Sequence, residues 1–108
     1  MINTPSITAT KWWPGELSVC ATHAVLCAKL IIDGDDYGVQ FFVIQIRKPQ
    51  THEVVEGIEV GDMGTKLGFN SKDNGFIRFK DYRIPRENLV SFIFLRVYYC
   101  FTNFFYSI

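Results

Sequence analysis

The stretch THAVLCAKLIIDGDDYGVQFFVIQIR, residues 22–47, decides the fold class of this chain. Its first eleven residues place small and aliphatic side chains on one face at period two, the repeat of a β-strand, at Ala24, Leu26, Ala28, Leu30 and Ile32. Ala, Leu and Lys would also permit a helix, but Ile31 and Ile32 are β-branched and directly precede the turn signal Asp33–Asp36. Residues 38–47 are apolar on both faces. We therefore predict a hairpin whose second strand is buried.

The remaining sequence predicts further short strands separated by glycine turns. Ile58 and Val60 form a short strand between two glycines, and the four glycines of residues 61–75 are too many for a helix. The dipeptide Asn74-Gly75 predicts a turn, and residues 76–84 alternate as a strand before Pro85. A chain of 108 residues forms one small domain or part of a larger one. The prediction is an all-β fold, a small antiparallel barrel or sandwich.

Composition excludes several classes of function. Eleven basic and eleven acidic residues balance, so the chain has no excess of positive charge for binding nucleic acid. The three cysteines are an odd number without a Cys-x-x-Cys pair, and His23 and His52 have no partners at metal-ligand spacing. We therefore predict no metal site, no disulfide framework and a reducing compartment. The first residues also lack the pattern of a secretory signal.

Seven short motifs between residues 8 and 89 carry a resemblance to a known family. They follow in the order KWWPG (11–15), ATHA (21–24), QIR (45–47), TH (51–52), GI with VGDMG (57–64), DNGF (73–76) and RIPRENL (83–89). Together they resemble the acyl-CoA oxidases, the flavin enzymes of peroxisomal fatty-acid β-oxidation. The resemblance implies that residues 1–89 are part of the middle β-domain of such an enzyme, and it ends at the apolar, aromatic residues 90–108.

The resemblance also implies a function. Acyl-CoA oxidases use FAD to convert an acyl-CoA to a trans-2-enoyl-CoA with release of hydrogen peroxide, and they work as peroxisomal homodimers. A carboxylate base removes the α-proton, and the hydride from the β-carbon goes to the flavin. By similarity, Trp13 packs beside the isoalloxazine and Gly15 approaches it with its main chain, while Trp12 is a weaker candidate. An indole packs well against a flat ring, and glycine lets a backbone come close to a ligand.

An alternative remains open for these residues: both tryptophans could be ordinary core side chains and Pro14-Gly15 an ordinary turn. The chain also departs from the family pattern. Relatives typically have Gly-Gly-Leu-Gly after the proline, where this chain has Gly15-Glu16-Leu17-Ser18. Glu16 therefore places a carboxylate near the proposed flavin wall.

The family keeps its catalytic carboxylate on a helical domain that this sequence does not contain. We therefore assign no catalytic residue and expect the chain alone to be inactive as an oxidase. A second hypothesis from another class is a non-catalytic β-module for binding or interaction, or a truncated product without activity.

Residues 90–108 need a separate explanation. Eight of the seventeen residues 92–108 are Phe or Tyr, yet the segment is slightly short for a membrane span of about 20 residues. Val90-Ser91 can be encoded by a splice-donor sequence, and AT-rich DNA translates into such residues. We prefer the hypothesis of a translated intron over a core strand. A membrane tether is the third-ranked alternative, which carbonate extraction would test.

Overall fold

The computed structural model describes residues 1–90 and confirms the all-β prediction. The hypothesis for the tail, residues 90–108, concerns residues that lie almost entirely outside the described part. Within residues 1–90, no helix is long and apolar enough to cross a membrane. Five strands and two single-turn 3-10 helices make up its elements: Ile7–Ala9, β1 (Lys11–Gly15), β2 (His23–Ile32), β3 (Asp35–Gln45), β4 (Ile58–Asp62), β5 (Asn74–Phe79) and Arg86–Asn88.

These strands form antiparallel sheets, as predicted, but the described residues do not close into a barrel. The sheets are three-stranded, in the order β1-β5-β4, and two-stranded, β2-β3. The chain divides into two compact units, of which the first comprises Met1–Ala24 and Gln45–Ile84 and the second begins with Val25–Ile44 and resumes at Pro85.

The first unit is built around the three-stranded sheet. Val60 of β4 pairs with Ile77 of β5, and Ile77 and Phe79 are buried in the core. The last strand was predicted to reach residue 84, but β5 ends at Phe79. Beyond it Tyr82 pairs instead with Ile2, and its hydroxyl donates a hydrogen bond of 2.8 Å to the main-chain oxygen of Gln45.

The prediction of a turn at Asn74-Gly75 is wrong, because both residues are buried at the start of β5. Asn74 is only 7% exposed and uses its side-chain amide to bond the main chain of β1. A Cβ added at Gly75 would lie 2.6 Å from the main-chain oxygen of Gly61 and 2.8 Å from the nitrogen of Ser18. The dipeptide typical of a turn serves here to let three backbone segments approach closely.

The second unit contains the predicted hairpin. Asp33 and Gly34 both have positive φ, 55° and 95°, which is the type I′ geometry of a two-residue hairpin. The prediction that β3 is buried is wrong for most of its length: Val39 is 60% exposed and Phe41 51%, while Ile44 is buried. The apolar pattern predicts two buried faces, but the face that carries Val39 and Phe41 is exposed.

Candidate functional site

The site predicted from sequence lies at a β-bulge in the edge strand β1. Trp12 pairs with Phe76 and Gly15 pairs with Asn74, so Trp13 and Pro14 together oppose the single residue Gly75. An edge-strand bulge tolerates a proline, which lacks a hydrogen-bond donor. Trp13 has a φ of 89°, in the left-handed region that a bulky side chain rarely adopts. Bulges and strained residues of this kind concentrate at functional sites.

Both tryptophans are on the surface, so the alternative that they are core residues is wrong. Trp12 is 56% exposed and Trp13 58%, and Gly15 is exposed as well. Trp12 stacks on Phe76 with ring centroids 5.6 Å apart, and the two rings line a cavity of about 430 Å³ with Arg78. Within the described residues, Trp13 belongs to neither the stacked pair nor the lining of that cavity, and its ring is available to another partner.

The loop that follows Gly15, residues 16–21, is anchored through its amides by one carboxylate. The Asp73 side chain accepts hydrogen bonds from the backbone nitrogens of Ser18, Val19 and Cys20 at 3.0, 3.1 and 3.3 Å, and from the Ser18 hydroxyl. Burial acts to raise the pKa of Asp73, but the hydrogen bonds from Ser18 and the next two amides outweigh it and lower this pKa. The carboxylate is therefore held in its charged form.

The carbonyl groups of the same loop are held by Arg47. This side chain is 4% exposed, and its guanidinium donates hydrogen bonds to the main-chain oxygens of Leu17, Ala21 and Ser18 at 3.1, 2.8 and 2.6 Å. Planar guanidinium donors suit several acceptors at once. A carboxylate on the amides and a cation on the carbonyls together immobilise the loop beside Gly15.

Glu16 occupies a backbone conformation that favours glycine. Its φ is 63°, and its carboxylate forms an ion pair with Lys72. The hydrogen bond to Glu16 raises the pKa of Lys72. Lys72 also covers the side of Gly15 where a Cβ would point, because that atom would lie 3.4 Å from the lysine Cε. Gly15 is nevertheless exposed, so part of its main chain remains accessible on the sides that Lys72 does not cover.

Comparison with known proteins shows which proteins this chain is similar to. No family model matches the chain. It is 52% identical over 90 residues to a probable acyl-coenzyme A oxidase of Caenorhabditis elegans and 46% identical over 90 residues to peroxisomal acyl-coenzyme A oxidase 1 of Rattus norvegicus. The chain is homologous to acyl-CoA oxidases. Each match covers 83% of this chain but only 14% of the relative, so it corresponds to one segment of an acyl-CoA oxidase.

Solved acyl-CoA oxidase structures contain the same fold. Acyl-CoA oxidase 1 of Yarrowia lipolytica superimposes with a TM-score of 0.81 at 47% identity, covering 82% of this chain and 13% of that one. Acyl-CoA oxidase-2 of Caenorhabditis elegans, solved with FAD, ascaroside-CoA and ATP, gives a TM-score of 0.78 at 45% identity and covers 81% and 13%. The resemblance drawn from the motifs is therefore confirmed.

The acyl-CoA oxidase motifs contain anchoring residues to which the sequence assigned no role. Arg47 and Asp73 lie in the motifs QIR and DNGF, and Asn74 belongs to a dipeptide that predicts a turn. A buried arginine or an amide-binding aspartate has no periodic signature, because its partners are main-chain atoms far away in sequence. Their position inside motifs shared with the family was the available signal.

A group of potential metal ligands occurs beside the loop, although no metal site was predicted. Ligand atoms of Glu16, Cys20 and Asp73 lie within 4.8 Å of one another. The oxygens of Asp73 already accept hydrogen bonds from the loop, and Glu16 is paired with Lys72. We assign no metal to this group.

Proposed function

We propose that this chain supplies the flavin-facing wall of an acyl-CoA oxidase site, with Trp13 and Gly15 as the residues that contact FAD. The whole reaction is the oxidation of an acyl-CoA to a trans-2-enoyl-CoA with formation of hydrogen peroxide, in a peroxisomal homodimer. The single observation that carries the assignment is the strained bulge of β1, which exposes an indole and a glycine main chain at one strand edge.

The residues present fit an isoalloxazine ring. Trp13 offers an exposed aromatic face, and Gly15 offers an exposed main chain with no side chain of its own, although Lys72 lies on its Cβ side. FAD, when bound, supplies the redox chemistry by accepting a hydride. This chain would hold and orient the ring: Trp13 by packing against its plane and Gly15 by backbone contact.

The ion pair between Glu16 and Lys72 sets the charge beside the proposed wall. An unpaired carboxylate would repel the electron-rich reduced flavin, whereas a paired one adds no net charge. Lys72 therefore compensates the carboxylate that this chain carries where the acyl-CoA oxidase pattern has glycine.

Titration of the full chain with FAD, followed by flavin fluorescence, tests the proposal, with and without the helical domains of an acyl-CoA oxidase supplied separately. We expect FAD to bind when those domains are present. Trp13→Ala should weaken binding at least tenfold because it removes a contact with the ring. Gly15→Val should do the same because a branched side chain there would crowd Lys72 and displace the main chain that approaches the ring. Trp12→Ala is the matched control: its exposure is similar, and its loss should leave the affinity within about twofold.

Absence of FAD binding in both conditions would refute the proposed function and favour the non-catalytic β-module. Equal weakening by Trp12→Ala and Trp13→Ala would refute the assignment of Trp13. A separate assay of acyl-CoA-dependent peroxide production by the chain alone should show no turnover.

A further inference from the structure

We infer that the tripeptide Asp73-Asn74-Gly75 is a template that positions the main chain of β1 on both sides of Gly15, with Asp73 and Asn74 as positioning residues. The inference rests on the proposed function in so far as Gly15 faces FAD. Its structural content is independent of FAD: two side chains of one short segment fix the residues before and after the exposed glycine.

Asn74 fixes Trp13, which lies two residues before Gly15. Its side-chain Nδ2 donates a 3.0 Å hydrogen bond to the main-chain oxygen of Trp13, and Asn74 is also the strand partner of Gly15. Because Trp13 is in the left-handed region, an extended β1 without the bulge would be the less strained alternative. The buried amide of Asn74 stabilises the bulged form against it, and that form keeps the Trp13 ring exposed.

Asp73 fixes the residues after Gly15. Its main-chain oxygen accepts a 2.8 Å hydrogen bond from the nitrogen of Glu16, and its carboxylate accepts hydrogen bonds from the three backbone amides of residues 18–20. One residue thus holds both ends of the segment 16–20. A carboxylate that receives several backbone amides makes charge-assisted bonds, which are stronger than bonds between neutral groups.

Gly75 completes the template by its lack of a side chain. The nitrogen and Cα of Ser18 would lie 2.8 and 3.1 Å from a Cβ at this position, so the loop packs directly on the strand. The side-chain hydrogen bonds of Asp73 and Asn74 converge on residues 13–20, and Gly75 lets Ser18 of the same segment pack against the strand. A role limited to general stability would not require this convergence on the one segment that contains Gly15.

Hydrogen exchange of individual amides in the full chain tests the template without any ligand. Asp73→Ala should speed exchange of the amides of Ser18 and Val19 by about tenfold or more, the size expected for loss of bonds to a charged acceptor, and that of Cys20 less, because its amide also donates to the Glu16 main-chain oxygen at 3.1 Å. Asp73→Asn, which keeps one acceptor oxygen, should restore part of the protection. Asn74→Ala should speed exchange of the Glu16 amide and shift the Gly15 amide resonance, and it should leave amide exchange in β4 unchanged. Asn74→Ser is the milder variant if Asn74→Ala does not fold.

Asn88→Ala is the matched control, because Asn88 also donates its side-chain Nδ2 to a main-chain oxygen, that of Val43, at 2.8 Å. It should leave exchange of residues 15–20 within about twofold. Unchanged exchange at residues 16–20 in the Asp73 and Asn74 variants, or the same uniform increase in all variants including the control, would overturn the inference.

A second readout separates this inference from the proposed function. Under the conditions in which FAD binds, Asn74→Ala should weaken FAD at least tenfold and Asn88→Ala less than twofold. Failure of the unmodified chain to bind FAD refutes the proposed function only, because the exchange experiment still decides whether the template exists. Locally faster exchange with unchanged FAD affinity overturns the link between the template and the flavin wall.

Discussion

Replacing Glu16 with glycine is expected to stabilise the chain, although it removes an ion pair. Glu16 has a φ of 63°, a conformation that costs a residue with a Cβ about 1–2 kcal/mol. Glycine removes this strain but gains freedom in the unfolded chain worth about 0.4–1 kcal/mol. The difference is a gain of about 0–1.6 kcal/mol in the free energy of unfolding, with a central value of about 0.8 kcal/mol.

The ion pair lost in this variant offsets only part of the central gain. The side chains of Lys72 and Glu16 are 49% and 53% exposed, and exposed pairs contribute little to stability. For a domain of this size, 1 kcal/mol shifts the melting temperature by about 4–8 °C, so the expected rise is about 2–8 °C. Thermal unfolding followed by circular dichroism, together with urea unfolding at neutral pH, measures it.

Two control variants separate the backbone from the charge. Glu16→Gln and Glu16→Ala both remove the carboxylate and keep a Cβ, so neither should melt above the unmodified chain. The reasoning is refuted if Glu16→Gly melts no higher than Glu16→Ala, because the left-handed conformation would then carry no cost.

Three further outcomes follow from the same region. Gly75→Ala should cost about 2–3 kcal/mol by overpacking, measured by urea unfolding, while Gly68→Ala, with no atom within 4 Å of its Cβ, should change stability little. The folded state lowers the pKa of Asp73, so this residue contributes to the free energy of unfolding above its unfolded pKa of about 4, and the contribution is lost as pH falls through the folded pKa. Asp73→Asn cannot titrate, and it should therefore lose less stability than the unmodified chain between pH 7 and pH 3. Arg47→Met should lower the free energy of unfolding by about 2–4 kcal/mol because it leaves three carbonyl oxygens unpaired. Arg83 is exposed, so the control Arg83→Met should change stability little. Equal urea midpoints for the two variants would contradict the role of Arg47.

The sequence predicted the strands whose side chains alternate. In β2, Leu26 is buried while Val25 and Cys27 are exposed, as its period-two pattern requires. The same reasoning failed for β3, because an apolar strand has the same composition whether its outer face is covered or not. The exposure of Val39 and Phe41 could be known only from the tertiary structure.

The sequence predicted the residues of the candidate site but not its geometry. The family motif identified Trp13 and Gly15, and their exposure agrees with a surface role that remains a proposal. Neither the left-handed backbone of Trp13 nor the bulge could be derived locally, since both arise from pairing with a strand about sixty residues away. The prediction of a turn at Asn74-Gly75 was wrong for the same reason, because long-range packing overrode the local turn preference of this dipeptide.

The bulge has a practical consequence for spectroscopy. The chain contains two tryptophans, adjacent to each other and both more than half exposed, whereas most domains bury such residues. Their emission should be red-shifted already in the native state and should change little in wavelength on denaturation. Intrinsic fluorescence would therefore be a poor probe of unfolding, but quenching or energy transfer to a bound chromophore would report directly from the edge of β1.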